Sequence, residues 1–578
     1  MKKLLLGNEA VARGLYEAGC SVISSYPGTP STEITEYAAT YDDMYAEWAP
    51  NEKVAMEVAI GASVAGARSF CGMKHVGLNV AADPFFTVSY TGINGGMVVA
   101  VADDPGMHSS QNEQDSRHHG IAAKVMVLEP SNSAECLEFT KKAFELSEMF
   151  DTPVLLRLTT RVAHSRGLCE LGERKQVENK EYVKDPMKYV MMPAMAIKRH
   201  VVVEQRLLDQ AKWAESCELN RTEINSTKIG IIANGISYEY AKEALGDNAS
   251  YLKLGCTNPL PTELIKSFAQ KCEKVYVIEE LDDIIESHCL KIGVEVTGKE
   301  LFSRCGEFSQ AIIAEKILGE KAESLSFGED LPNRPPSLCA GCPHRGLYNA
   351  LKNLKVRVSG DIGCYTLGAL PPFQSIDTCV CMGASVSMLH GMSKADKAAA
   401  KNSVAVIGDS TFMHSGITSL IDIAYNMGNT TAIVLDNSIT GMTGHQQNPT
   451  TGKTLKGDPT SKVSIEKLAN AVGIERVRVV DPYDIPATQA AIAEELSVDE
   501  PSLVISRRPC VLLKDVKTGP ALEVVADKCK SCKACMKIGC PAISFVDGKA
   551  SIDFTQCTGC NMCTHMCKFD AIKVKEGK

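Results

Sequence analysis

The chain has 578 residues, of which 44% are hydrophobic and 23% charged, enough apolar material for several buried cores in roughly three to five domains. Its 61 basic and 70 acidic side chains leave a net charge of −9, which excludes a phosphate-neutralising nucleic-acid face or an anionic membrane surface as the main partner. No run of about eighteen apolar residues occurs, and the opening MKKLLLGNEAVARGLYEAG is too short in apolar residues for a secretory signal, so a cytoplasmic location is expected.

Residues 1–175 read as an α/β domain closing on the strand TPVLLRLTT. Within it, SSYPGTPSTEI at 24–34 is a loop-to-helix passage, and WAPNEKVAMEVAIGASVAGARSF is a helix rich in Ala and Gly that begins at Asn51-Glu52. Gly61 and Gly66 are expected to let that helix pack closely. Glu52 opens the helix, where its dipole favours an acidic residue, and Glu57 lies inside the small-residue run. QNEQDSRHHG supplies Arg117, His118 and His119, with His108 upstream; the three histidines are proton-transfer candidates among which spacing does not choose. Residues 176–227 are a charged connector running into a helix near 200–220. A second α/β unit, 228–325, carries strands GIIAN, YLKLG and VYVIEE, with a turn at Gly235 that could receive an anion but reads as structural. The proline-rich SFGEDLPNRPPSLC leads into a third unit, 326–516. Strand and helix alternate in all three, so parallel sheets with right-handed crossovers are expected.

In the third unit, SVAVIG is a short apolar strand, Gly408-Asp409-Ser410 its turn, and a helix follows with Ile417, Leu420, Ile421 and Ala424 on one stripe and Gly428 at its end. TAIVLD is the next strand, which brings Asp409 and Asn437 to neighbouring strand ends, where open α/β sheets bind ligands. A diphosphate carrying Mg²⁺ asks for a carboxylate, a neutral oxygen, a carbonyl and water. Asp409, Asn437 and the carbonyl of Ile439 offer these. The pattern resembles the GDG…NN motif of thiamine-diphosphate enzymes, with Ser410 for Gly and Asp436-Asn437-Ser438 for the Asn pair.

The cysteines are the largest compositional anomaly. There are 23, eight of them within the last fifty residues, and a reducing compartment does not keep disulfides. CKSCKACMKIGCP and CTGCNMCTHMCK each hold three thiols at the spacing that wraps one corner of a cubane, while the fourth reaches the other cluster. Residues 517–578 are therefore expected to hold one [4Fe–4S] cluster on Cys529, Cys532, Cys535 and Cys567. A second is expected on Cys540, Cys557, Cys560 and Cys563, with short βαβ-like pieces around both. The first motif has four residues before Cys540, and Lys568 stands where a proline is usual. Zinc knuckles would need four ligands to one ion, which two CxxCxxC loops do not offer.

Four stretches together, SSYPGTPSTEI, the Glu52 helix, CAGCPHRG with GDSTFMHSG, and the cysteine tail, resemble the 2-oxoacid:ferredoxin oxidoreductases over essentially the whole chain, in the manner of large subunits of the indolepyruvate branch. The resemblance implies an α/β multidomain thiamine-diphosphate fold with a small α+β two-[4Fe–4S] ferredoxin module. It implies Glu52 as the carboxylate that activates the cofactor, with Glu57 in reserve, Thr29 on the oxoacid carboxylate, and Arg117 as a second carboxylate contact. It further implies Mg²⁺, coenzyme A as acyl acceptor, ferredoxin as electron acceptor, and a small beta subunit in an α2β2 assembly. Cys339, Cys342, Cys364 and Cys510 resemble the ligands of a third cluster near the thiamine in related pyruvate enzymes. The expected reaction is oxidative decarboxylation of arylpyruvates (indolepyruvate, phenylpyruvate, 4-hydroxyphenylpyruvate) to aryl-acetyl-CoA. A non-oxidative decarboxylase, or an electron carrier whose thiamine site has lapsed through Ser410, are the alternatives.

Overall fold

The computed structural model describes residues 1–321, 331–332 and 334–575 and divides into two compact units, Met1–Gly328 and Glu329–Lys578. The expected boundary at 325/326 lies outside the described residues, as does the end of the last expected strand piece, 576–578. No helix of the described residues is long and apolar enough to cross a membrane.

The first unit is built on a seven-stranded sheet. Its strands run, in spatial order, Cys256–Asn258, Met126–Leu128, Val154–Thr159, Met97–Asp103, Ser69–Lys74, Val22–Ser25 and Tyr45–Trp48. All neighbours are parallel except Cys256–Asn258. The central strands SFCGMK, MVVAVAD and VLLRLT are buried along their whole length, as strands covered on both faces must be. From Val22–Ser25 the chain first moves outward to Tyr45–Trp48, then back across to Ser69–Lys74. The strand order reverses there, and in an open α/β sheet the crevice at such a reversal is where ligands bind.

The expected partition of this unit needs correction. Arg221–Glu223, read as connector, pairs with Ser250–Leu254 in a second, four-stranded sheet with Ile229–Asn234 and Lys274–Ile278. Conversely, Cys256–Asn258 leaves that second module and joins the first sheet. The connector turns back over the first module: the N–H of Lys180 donates to the Gly66 carbonyl at 3.0 Å and that of Lys175 to Glu17 at 2.8 Å. Its helix runs Pro193–Ala214. Gly66, at φ +98°, is where Lys180 passes closest, whereas a side chain at Gly61 would meet nothing. Close approach belongs to Gly66 and not to Gly61.

The second unit carries five parallel strands in the order Arg357–Ser359, Ser403–Gly408, Thr431–Asp436, Ser502–Arg507, Arg476–Val480. After Gly408 the helix is broken into Asp409–Thr411, a π turn at Phe412–Gly416 and Ile417–Tyr425. Leu420 and Ile423 are buried, but Ile421 is 45% exposed, so the expected stripe holds only in part. The tail also differs from expectation. Ile543–Val546 and Lys549–Ile552 form an antiparallel hairpin turning through Asp547 and Gly548, both at positive φ, the geometry that matches strand twist. Leu522–Val524 pairs with Ile572–Val574. Among the described residues only the short 3-10 turn Ala534–Ile538 intervenes and no α-helix does, so these pieces are not βαβ-like.

Candidate active site and cysteine pockets

In the first unit, Asn51 caps the Glu52–Val64 helix, its side chain accepting from the Val54 N–H at 2.9 Å. The cap fixes Glu52 at the first turn, where it is 5% exposed. The helix His75–Val80, which follows the Ser69–Lys74 strand, lies directly against it. A methyl group added to Gly77 would stand 2.6 Å from Glu52 Oε1, so glycine is what lets that carboxylate sit there. Glu57 is about half exposed and ion-paired with Lys53, which removes it as the reserve.

Gly28 and Thr29 leave the neighbouring Val22–Ser25 strand. The Thr29 carbonyl accepts from Ser109 Oγ at 3.2 Å. Lys74 Nζ donates to the Ser109 carbonyl at 2.6 Å. Lys74 is 8% exposed, and burial pushes its ammonium down to about 8, against the pull of Asp104. Sequence reading passed over Lys74 and His75; their signal was the position of KHVG at the end of a buried strand.

Arg117 is placed otherwise than expected. It is fully buried, with Nε and Nη2 donating to Asp115, Nη1 to Glu279 at 2.6 Å, and Nη2 also to the carbonyls of Glu280 and Asp282. Arg157 adds Asp103 and Glu129 to the same network. A guanidinium so fully engaged clamps the two modules and has no free edge for a substrate. His118 Nε2 meets Asp282 at 2.8 Å and His108 Nε2 meets Glu307 at 3.3 Å, both on exposed ground. His119 is lowered by burial. Gly235 faces the Glu129 carboxylate, 3.6 Å from where a side chain would begin, which disfavours an anion there.

In the second unit, strand register sets Gly408 beside Leu435, so the Asp409 and Asn437 loops adjoin. Asp409 Oδ1 accepts from the Ser410 N–H at 2.7 Å and Oδ2 from Thr450 Oγ1 at 3.3 Å. Ser410 Oγ accepts from Thr440 at 2.9 Å, and Asn437 Oδ1 from the Ile439 N–H at 3.3 Å. Burial first, then Asp436, pushes the Asp409 carboxyl up to about 7. A hard cation held between these oxygens would reverse that shift, so the donor set fits Mg²⁺. Gly408 is required by Tyr365, whose ring lies 2.5 Å from where a Cβ would be.

The tail cysteines line two small, largely apolar pockets. Cys529, Cys532, Cys535 and Cys567 surround one, with Phe545 and Ile572; Cys540, Cys557, Cys560 and Cys563 surround the other, with Leu522 and Arg345. Among the described residues no three His, Cys, Asp or Glu side chains converge to hold a single ion, and a pocket ringed by four thiols fits a polynuclear cluster better than zinc. The extra residue before Cys540 is taken up by Gly539 at φ +64°. Its carbonyl accepts from Arg345, and a side chain there would strike Pro372 at 2.8 Å. Burial, with Cys339 and Cys364 adding, pushes Cys342 up to about 12, and burial with Cys510 and Cys339 pushes Cys364 up to about 11. Cys510 in turn feels Cys339 and Asp409.

Residues 13–226 match the family model described as pyruvate flavodoxin/ferredoxin oxidoreductase, thiamine diP-bdg. Residues 361–506 match the C-terminal TPP binding domain of thiamine pyrophosphate enzymes. The indolepyruvate oxidoreductase subunit IorA of Pyrococcus horikoshii is 42% identical over 100% of this chain and 98% of its own. That of Archaeoglobus fulgidus is 40% identical over 99% and 97%. The chain belongs to the family of indolepyruvate oxidoreductase IorA subunits. It is thus an enzyme subunit of the thiamine-dependent 2-oxoacid oxidoreductase class. A solved 2-oxoglutarate:ferredoxin oxidoreductase from Magnetococcus marinus resembles it at a TM-score of 0.45 and 16% identity, over 55% of this chain and 65% of that one.

Proposed function

We propose that this IorA-type subunit, with a small beta subunit in an α2β2 assembly, oxidatively decarboxylates arylpyruvates such as indolepyruvate, phenylpyruvate and 4-hydroxyphenylpyruvate. One 2-oxoacid anion, one coenzyme A and two oxidised ferredoxins give one aryl-acetyl-CoA, one CO₂, one proton and two reduced ferredoxins. Thiamine diphosphate, when bound, supplies the electron sink that decarboxylation needs. Glu52 holds the proton at its pyrimidine N1′, with Gly77 leaving room for the carboxylate. Asp409, Asn437 and the Ile439 carbonyl hold Mg²⁺, Gly408 and Ser410 line the diphosphate, and Thr29 meets the substrate. Cys529, Cys532, Cys535 and Cys567, and Cys540, Cys557, Cys560 and Cys563, would hold two [4Fe–4S] clusters, which would supply one-electron transfer towards ferredoxin. A third would fall on Cys339, Cys342, Cys364 and Cys510, a reading supported by the electrostatic influence of Cys339 on the other three. The sorting of the eight tail cysteines into two four-thiol pockets is the observation that carries the electron path.

The anaerobically reconstituted heteromer should reduce ferredoxin with phenylpyruvate and coenzyme A, contain thiamine diphosphate, and hold about twelve iron atoms per chain, four per cluster. Glu52→Gln should lower kcat by at least about 10²-fold with iron content unchanged. Aldehyde formed without ferredoxin reduction, or no thiamine released on denaturation, would overturn this reading; eight irons would remove only the third cluster.

A further inference from the structure

An oxoacid enzyme needs a cation for the substrate carboxylate, and Arg117 is consumed by its own acidic partners. The reversal of strand order in the first unit is flanked by two strand ends, Ser25 leading into Gly28-Thr29 and Lys74 leading into His75. The stem of Lys74 lies along Gly28, 3.1 Å from where a Cβ on that glycine would be. Its ammonium reaches the Ser109 carbonyl at 2.6 Å and Ser109 Oγ at 3.4 Å, and that hydroxyl in turn meets the Thr29 carbonyl. Among the described residues no carboxylate lies within ion-pairing distance of Lys74. Asp104, the acidic group that influences it, is already held by the Ser109 N–H, Ser110 and Thr160. One turn further on, Gly77 lies against the Glu52 carboxylate, where an added Cβ would stand 2.6 Å from Oε1, so a single strand-to-helix junction adjoins both the Thr29 loop and the proposed activating acid. His75 braces that junction from within, 1% exposed, its Nε2 3.2 Å from the Asn112 carbonyl.

We infer that Lys74 is the residue that binds the 2-oxoacid carboxylate, acting with Thr29 across the switch-point crevice and selecting anionic over neutral carbonyl substrates. A buried ammonium whose neighbouring carboxylate, Asp104, is committed to Ser109, Ser110 and Thr160 is only partly compensated and gains when a substrate carboxylate arrives. The inference rests on the proposed oxoacid chemistry.

The test uses the full heteromer with phenylpyruvate at saturating coenzyme A and ferredoxin. Lys74→Gln should raise KM by about 10- to 100-fold, the range of a charged hydrogen bond, with a smaller change in kcat. Lys74→Arg should recover most of the affinity. Equilibrium binding supplies a readout apart from turnover: Lys74→Gln should weaken phenyllactate by a similar factor and leave the neutral methyl phenylpyruvate unchanged. Thiamine and iron contents equal to wild type show that the variant is folded; if Lys74→Gln does not fold, Lys74→Met, which keeps the stem and removes the charge, decides in its place with the same two ligands. An unaltered KM and phenyllactate affinity in Lys74→Gln, or equal loss of charged and neutral ligands in either variant, overturns the assignment of Lys74. Wild-type heteromer that reduces no ferredoxin overturns the proposed function instead.

Discussion

Glu280 shows how burial alone changes what a residue does. It lies buried where the two modules of the first unit meet, its Oε1 accepting from the Phe308 N–H at 2.8 Å. Burial pushes its carboxyl from 4.5 up to about 7, only partly opposed by that N–H, Arg157 and Lys299. The folded state therefore binds more protons than the unfolded one between these values, and stability falls as pH rises through that window. Glu280→Gln keeps an acceptor for Phe308 and removes the charge. It should raise the first unit's stability by about 3 kcal/mol at pH 8 and give no gain near pH 4.5, read by calorimetry at the two pH values; an equal effect at both would contradict the buried-charge account. Nothing in the sequence around Glu280 marks it, because its environment comes from Phe308 and Arg157, far away along the chain.

Among the elements, the Glu52 helix was the most legible, since Asn51 followed by an Ala- and Gly-rich run is a start signal that works locally. Asn51→Ala should cost about 1 kcal/mol and Asn51→Ser much less, measured by denaturant unfolding; equal losses would show that the cap hydrogen bond is not what holds that turn. The helix after Gly408 was less legible. Its periodicity predicted a stripe through Ile421, but the helix buries the side through Leu420 and Ile423 and leaves Ile421 exposed, and the π turn at Phe412–Gly416 before it was not foreseen. Such turns recur at functional sites and leave no periodic trace. The tail hairpin was misread because a two-residue Asp-Gly turn closes it, leaving no length for a helix.

For the first unit as a whole, the network of Arg117, Arg157, Asp103, Asp115, Glu129 and Glu279 ties the Met126–Leu128 side of one sheet to the second module, together with the exchanged strand Cys256–Asn258. Breaking a buried charge network from one side strands the remaining charges. Arg117→Met should destabilise the first unit by about 3–5 kcal/mol, seen as a lowered thermal midpoint, while KM for phenylpyruvate in the folded fraction stays at the wild-type value. A raised KM with stability intact would return Arg117 to the substrate.

The sequence by itself determined the local chemistry: which residues cap, turn, and present thiols or oxygens at a spacing that suits a given group. Those properties depend on neighbours close along the chain, so the Gly408-Asp409-Ser410 turn and the two CxxCxxC runs could be read as candidates without coordinates. Only the tertiary structure decided which charges are spent on one another and which remain to act. Lys74 closes the Ser69–Lys74 strand and Arg117 opens the Arg117–Ala123 helix; that Arg117 ends against Asp115 and Glu279 and Lys74 beside Ser109 and the Thr29 loop follows from sheet order and module docking. Those are long-range contacts, and they outweigh the local pattern because a buried charge is governed by the atoms packed against it.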